Sequence, residues 1–61
     1  MFTLTIETDN AAFDPDTHYE VSRILREAAD VVEYNRSCTE TLVDINGNTV
    51  GSFTLETEED T

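Results

Sequence analysis

Residues 39–56 read TETLVDINGNTVGSFTLE, and this segment carries the clearest structural signal of the chain. Two runs rich in β-branched and aromatic residues flank Asn46-Gly47-Asn48. A short turn segment between two such runs is a strong hairpin signal. The sequence therefore predicts two paired strands within about residues 39–56.

Two registers are open for this hairpin. In the first, Asp44 starts a type I turn and Gly47 takes the left-handed position. Leu42 then faces Val50 across the pair.

In the second register, Ile45 pairs with Thr49. The inner face of the hairpin then carries Val43, Phe53 and Leu55. The alternation of side chains fits both registers, so the sequence alone does not choose between them.

The N-terminal residues form a third strand by the same criterion. Phe2, Leu4 and Ile6 alternate with threonines, which is the period-two pattern of a half-buried strand over about residues 1–8.

A helix is predicted over about residues 15–35. Its apolar residues recur at spacings of three and four and form one stripe that can lie on a sheet. This stripe consists of Val21, Ile24, Leu25, Ala28, Val31 and Val32.

The ends of this helix carry capping signals. Thr17 and Glu20 match a capping box, whereas Asp14 followed by Pro15 is the competing start. At the other end, Asn35 is expected to take the left-handed conformation that closes a helix.

These elements predict a single α+β domain over residues 1–61. Its order is β-α-β-β, with one amphipathic helix packed on a three-stranded, mainly antiparallel sheet. Phe13, in the connection before the helix, is expected to plug the core. An acidic tail at residues 57–61 is expected to be frayed.

Charge is the strongest functional signal. Fourteen acidic residues face three arginines and no lysine, which gives a formal net charge of -11. Direct binding to nucleic acid is excluded on electrostatic grounds, because that affinity comes from lysine and arginine at phosphates. A basic protein surface or a very salty cytoplasm is the expected counterpart.

The N-terminus has neither the basic segment of a leader nor the long apolar segment of a leader or membrane span, so we expect a cytoplasmic protein.

Candidates for chemistry are few. His18 is expected to lie at the surface or cap the helix, and Cys38 to be a small, partly buried thiol. The segment DINGN at residues 44–48 begins like a calcium loop, but Thr49 stands where that loop needs glycine, and Leu55 where it needs glutamate. We therefore predict no enzyme, no metal site and no cofactor.

Three segments also carry a resemblance. IETDNAAF at residues 6–13, ILREAAD at residues 24–30 and DINGNTVG at residues 44–51 together resemble short uncharacterised proteins encoded by phages and prophages. Small acidic phage proteins often look like inhibitors of host systems, including DNA mimics and anti-CRISPR proteins. The resemblance implies a phage origin and, by class-level analogy, an inhibitor.

Two functions follow as hypotheses. The first is a non-enzymatic inhibitor that presents carboxylates to a basic surface of a nucleic-acid-binding host protein. The residues expected to bind the partner are Asp9, Asp14, Asp16, Glu40 and Asp44. The second is a small interaction or structural module that forms a homodimer through an exposed sheet edge or the second face of the sheet, and whose acidity reflects a high-salt cytoplasm.

Overall fold

A computed structural model describes residues 1–57 and has the predicted β-α-β-β order. One helix lies on a three-stranded antiparallel sheet, so the small α+β fold is confirmed. The elements are β1 at Phe2–Ile6, α1 at Thr17–Asp30, β2 at Thr39–Val43 and β3 at Thr49–Leu55. Residues 58–61 of the predicted frayed tail lie outside the described residues.

The strand order, which the sequence left open, is β1-β3-β2. β3 is therefore the central strand, and both neighbours run antiparallel to it, with Leu4 opposite Phe53 on one side. Gly51 is paired with Ile6 of β1, and a Cβ at Gly51 would collide with the carbonyl group of Thr5. A residue without a side chain is thus required for β1 to pair at this point.

The hairpin forms the turn of the first register. Gly47 has φ of 88°, and its N–H donates to the carbonyl oxygen of Asp44 at 3.0 Å. An irregularity between Leu42 and Val43 leaves Leu42 opposite Gly51 and not opposite Val50. A bulge of this kind adds one residue to a strand and shifts its alternation. Leu42, Val50 and Phe53 are consequently all buried.

The second register fails at Val43, which is 40% exposed and does not join the inner face.

The buried core lies between α1 and the sheet and contains Phe13, Ile24, Ala28, Leu42, Val50 and Phe53. Phe13 is 1% exposed, which confirms that it plugs the core. Truncating such a phenylalanine costs about 3–5 kcal/mol, a large share of the roughly 3–9 kcal/mol that a domain of this size has.

Both predicted caps of the helix need correction, although the helical segment ends at Asn35 as expected. The N-cap is Asp16, whose side chain accepts from the N–H of Tyr19 at 3.1 Å. The Thr17 hydroxyl instead donates to the carbonyl oxygen of Phe13 at 3.0 Å. Neither Thr17 nor Asp14 therefore starts the helix as a cap.

At the other end, α1 continues into a single π-helical turn at Val31–Asn35. The left-handed residue is Arg36, with φ of 57°, and not Asn35. The wider turn adds a residue before the chain reverses, so the closing position moves one place along. Across residues 1–57, no helix combines the length and the apolar character needed to cross a membrane.

Candidate functional site

The connection between β1 and α1 is anchored at several points. Phe13 is buried in the core within a short 3₁₀ turn at Ala11–Phe13. Asn10 caps that turn by accepting from the N–H of Ala12 at 2.9 Å. The Asn10 amide also donates to a carboxylate oxygen of Asp44 at 2.9 Å, which ties the connection to the hairpin. The backbone of this loop is thus held at both ends and in the middle.

Three of the predicted partner-binding residues lie on this anchored loop and are exposed: Asp9, Asp14 and Asp16, called the loop acids from here on. Glu7 is exposed beside them. Glu7 and Asp9 line an open depression of about 220 Å³, whose other walls are Asn10, Thr49 and Val50. The sequence placed Glu7 at the end of a strand and did not single it out, although its position two residues before Asp9 was the available signal.

Asp44 is not part of that exposed surface. Its side chain was expected to be a free turn carboxylate, but the residue is only 3% exposed. One carboxylate oxygen accepts from the N–H groups of Asn46 and Asn48, both at 2.9 Å. The other accepts from the side-chain amides of Asn10 at 2.9 Å and Asn48 at 3.3 Å. These four hydrogen bonds occupy the acceptor sites of the Asp44 carboxylate that a partner would otherwise use.

The pKa of Asp44 reflects these surroundings. Burial alone would raise it, but the hydrogen bonds from Asn48, Asn10 and Asn46 together hold the pKa below its ordinary value of 3.8. The carboxylate is therefore ionised near neutral pH and organises the hairpin turn.

A second buried acid is Glu20, for which the sequence indicates a capping box and, because Arg23 follows three residues later, a local ion pair. It is 3% exposed and forms a two-pronged ion pair with Arg23, at 3.0 Å and 2.8 Å. The same carboxylate accepts from the N–H of Ile45 at 3.0 Å, so it joins α1 to the hairpin. The hydrogen bond from Arg23 lowers the pKa of Glu20 more strongly than burial raises it.

Glu40 lies apart from the loop acids. It sits on β2 opposite Phe53, four residues before Asp44, which is roughly 13 Å along an extended strand. Its carboxylate accepts from the hydroxyl of Ser37 at 3.1 Å. Asp9, Asp14 and Asp16 therefore share the loop between β1 and α1, whereas Glu40 lies on the edge strand β2.

The cations are unevenly placed. Residues 1–22 contain no lysine or arginine. Arg23, the first arginine along the sequence, is occupied by Glu20 and by Glu27, the latter at 2.8 Å. Its remaining short contact is with the carbonyl oxygen of Val43 at 3.4 Å. No arginine side chain is thus available from the first 23 residues to neutralise the loop acids.

The other candidate residues offer little chemistry. His18 is exposed in the first turn of α1, in line with a surface role. Cys38 is exposed, so the expectation of a partly buried thiol is wrong: the left-handed turn at Arg36 leads it onto the surface before β2 begins. Within residues 1–57, no group of three or more histidine, cysteine and acidic side chains is arranged to hold a metal ion.

Comparison with protein-family models, with curated protein sequences and with solved structures finds no match to the chain.

Proposed function

We propose that this chain is a non-enzymatic binding protein that presents the loop acids to a basic surface of a nucleic-acid-binding protein, and so blocks that surface. One observation carries the proposal. Three exposed carboxylates lie on an anchored loop, within a segment of 22 residues that contains no lysine or arginine. Glu7 and the depression that it shares with Asp9 extend the same negative surface.

Two physical effects support this use of the loop. Like charges gathered in one region create a field that speeds the approach of an oppositely charged partner and disfavours partners of the same sign. The anchors at Asn10 and Phe13 mean that the loop loses little conformational freedom when a partner binds. A phosphate backbone binds basic proteins through the same kind of negative surface, so the loop acids compete with it.

The test is displacement of a fluorescent DNA duplex from a panel of basic nucleic-acid-binding proteins, read by fluorescence anisotropy. The wild-type chain should displace the duplex from a susceptible protein, and less effectively as salt rises. The triple variant Asp9→Asn, Asp14→Asn, Asp16→Asn should need about tenfold more protein, which corresponds to about 1.4 kcal/mol. Asparagine keeps the helix cap at position 16, so the loop should stay folded.

A matched control removes three charges elsewhere: Glu27→Gln, Asp30→Asn and Glu56→Gln, all at exposed positions. This control should displace the duplex as well as the wild type. Equal losses in the two triple variants would mean that only net charge matters, and no displacement from any protein in the panel would contradict the proposal outright.

A further inference from the structure

The two edges of the sheet differ in how they are protected. Natural edge strands avoid pairing with other chains by carrying charges, prolines or bulges. β2 has Glu40 and the Arg23 side chain near the Val43 carbonyl group, and its pairing with β3 is interrupted by a bulge at Val50 of β3. β1, at Phe2–Ile6, has the sequence FTLTI and carries none of these features.

The hydrogen-bonding groups of β1 are free along that edge. Met1 and Glu56 exchange both backbone hydrogen bonds, each at 2.8 Å, and the N–H of Glu7 donates to Val50. Because such bonds alternate along an antiparallel pair, the odd-numbered residues of β1 face β3. The N–H and C=O groups of Phe2, Leu4 and Ile6 therefore point away from the sheet.

An apolar groove runs beside this edge, between β1 and α1. It has a volume of about 380 Å³ and is lined by Phe2, Leu4, Leu25, Ala28, Ala29 and Val32. Phe2 is 47% exposed and Leu25 is 44% exposed, although both are large hydrophobic side chains. An open strand edge and an apolar groove are thus continuous with one another.

The charges flanking the groove are self-complementary. Arg26 and Glu33 are seven residues apart along the helical segment, on the turns before and after Ala29, and both are exposed. Neither forms an ion pair with any other residue in the part of the chain that the structure describes. When two such helices lie antiparallel, the arginine of each copy faces the glutamate of the other.

We propose that two copies of this chain associate about a two-fold axis through the middle of β1. The two β1 strands pair antiparallel and make a six-stranded sheet in the order β2-β3-β1-β1-β3-β2. The two α1 helices then lie antiparallel on the same face and close the groove with Leu25 and Phe2 from both copies. The uncharged strand lets two copies, each of formal net charge -11, approach without bringing carboxylates together.

This inference does not depend on the proposed function, because none of the loop acids lines the groove and no other protein is needed. Sedimentation equilibrium of the full chain, over a range of concentrations at low and at molar salt, tests it. The wild type should reach twice its mass of 6.9 kDa, and more readily in high salt, where repulsion is screened. A wild type that stays monomeric throughout overturns the proposal.

Two sets of variants locate the interface. Leu25→Lys should weaken the dimer by about 30-fold, as expected for an anchor at the centre of an interface. Tyr34→Lys is the matched control, since Tyr34 is 72% exposed and does not line the groove, and it should leave the dimer unchanged. Leu25→Lys lowers the negative charge of the chain, so weaker association in this variant would not result from added repulsion. An undiminished dimer in Leu25→Lys contradicts the interface.

The charge pair supplies a second test that does not disturb the core. Arg26→Glu and Glu33→Arg should each weaken the dimer, and the double variant should restore it. A double variant that is no tighter than the single ones overturns the antiparallel arrangement of the helices. Circular dichroism confirms in each case that the variant is folded.

Discussion

Asp44 and Asp9 are the same type of residue at the same end of the molecule, yet their carboxylates have different surroundings. Asp44 is 3% exposed and accepts four hydrogen bonds from the hairpin and from Asn10. Asp9 lies beside Asn10 but faces solvent. The comparison teaches that a high acid content does not by itself define a binding surface. Some carboxylates of this chain organise the fold, and only the remainder are free to meet a partner.

The largest expected effect on stability comes from substituting Asp44. Asn at position 44 keeps one acceptor oxygen but turns the other into an amide donor aimed at the side-chain amides of Asn10 and Asn48. We expect Asp44→Asn to lower the melting temperature by roughly 10 °C or more. Asp9→Asn, which makes the same chemical change, should shift it by no more than about 2 °C. Similar shifts in the two variants would remove the distinction between the two aspartates.

Glu20 and Glu27 form a second buried and exposed pair of acids, because both bind Arg23. The side chain of Glu20 is 4% exposed and that of Glu27 is 61% exposed. Glu20→Gln removes a two-pronged ion pair from a buried site, and we expect the melting temperature to fall by about 5 °C. Glu27→Gln removes an exposed pair worth about 0.3–0.5 kcal/mol and should have a barely measurable effect. A larger loss for Glu27→Gln would contradict the structural role of Glu20.

Stability should also depend on pH through the buried acids. Folding lowers the pKa of Asp44 and Glu20 below their ordinary values of 3.8 and 4.5. Their stabilising contribution is therefore fully present above those values and is lost as the pH falls through the lower folded-state values. The melting temperature should decrease as the pH drops below about 4.5, and this decrease should be less steep in Asp44→Asn than in the wild type. Protonation of exposed acids relieves repulsion in the same range, so the difference between variant and wild type is the quantity to read.

The smallest expected effect on stability comes from the loop acids themselves. Neutralising all three, with Asp9→Asn, Asp14→Asn and Asp16→Asn, should change the free energy of unfolding by less than about 0.5 kcal/mol. The sign should be stabilising, because the change reduces repulsion within the loop. Urea denaturation measures this change directly. A clear loss of stability would mean that Asp9 or Asp14 has a structural partner, or that asparagine does not replace Asp16 as the helix cap.

Much of the fold was predictable because its signals are local. The alternation in β1 and the turn at Asn46-Gly47-Asn48 require only neighbouring residues, as does the apolar stripe of α1. The strand order was not predictable, because the long connections allow β1 to pair on either side. The helix cap was ambiguous because Asp14, Asp16 and Thr17 all offer an oxygen within four residues. The burial of Phe13 and the Thr17 hydrogen bond decide between them, and both depend on tertiary contacts.

The candidate site was only partly predictable for a similar reason. Loop position correctly indicated that Asp9, Asp14 and Asp16 are exposed. Carboxylates are rarely buried, so composition gave no reason to expect that Asp44 and Glu20 are. The signal for Asp44 was its turn: the N–H groups two and four residues later satisfy an aspartate at this position. For Glu20, no local pattern indicates the contact with Ile45, which lies 25 residues away.

The most direct test of where a partner binds is an NMR titration of the ¹⁵N-labelled chain with a basic protein whose DNA duplex it displaces. The largest chemical-shift changes should fall on residues 7–16, with smaller changes at Thr49 and Val50, which line the same depression as Glu7 and Asp9. Changes centred on Phe2, Leu25 and Val32 would contradict this prediction, because the partner would then occupy the apolar groove and not the loop acids.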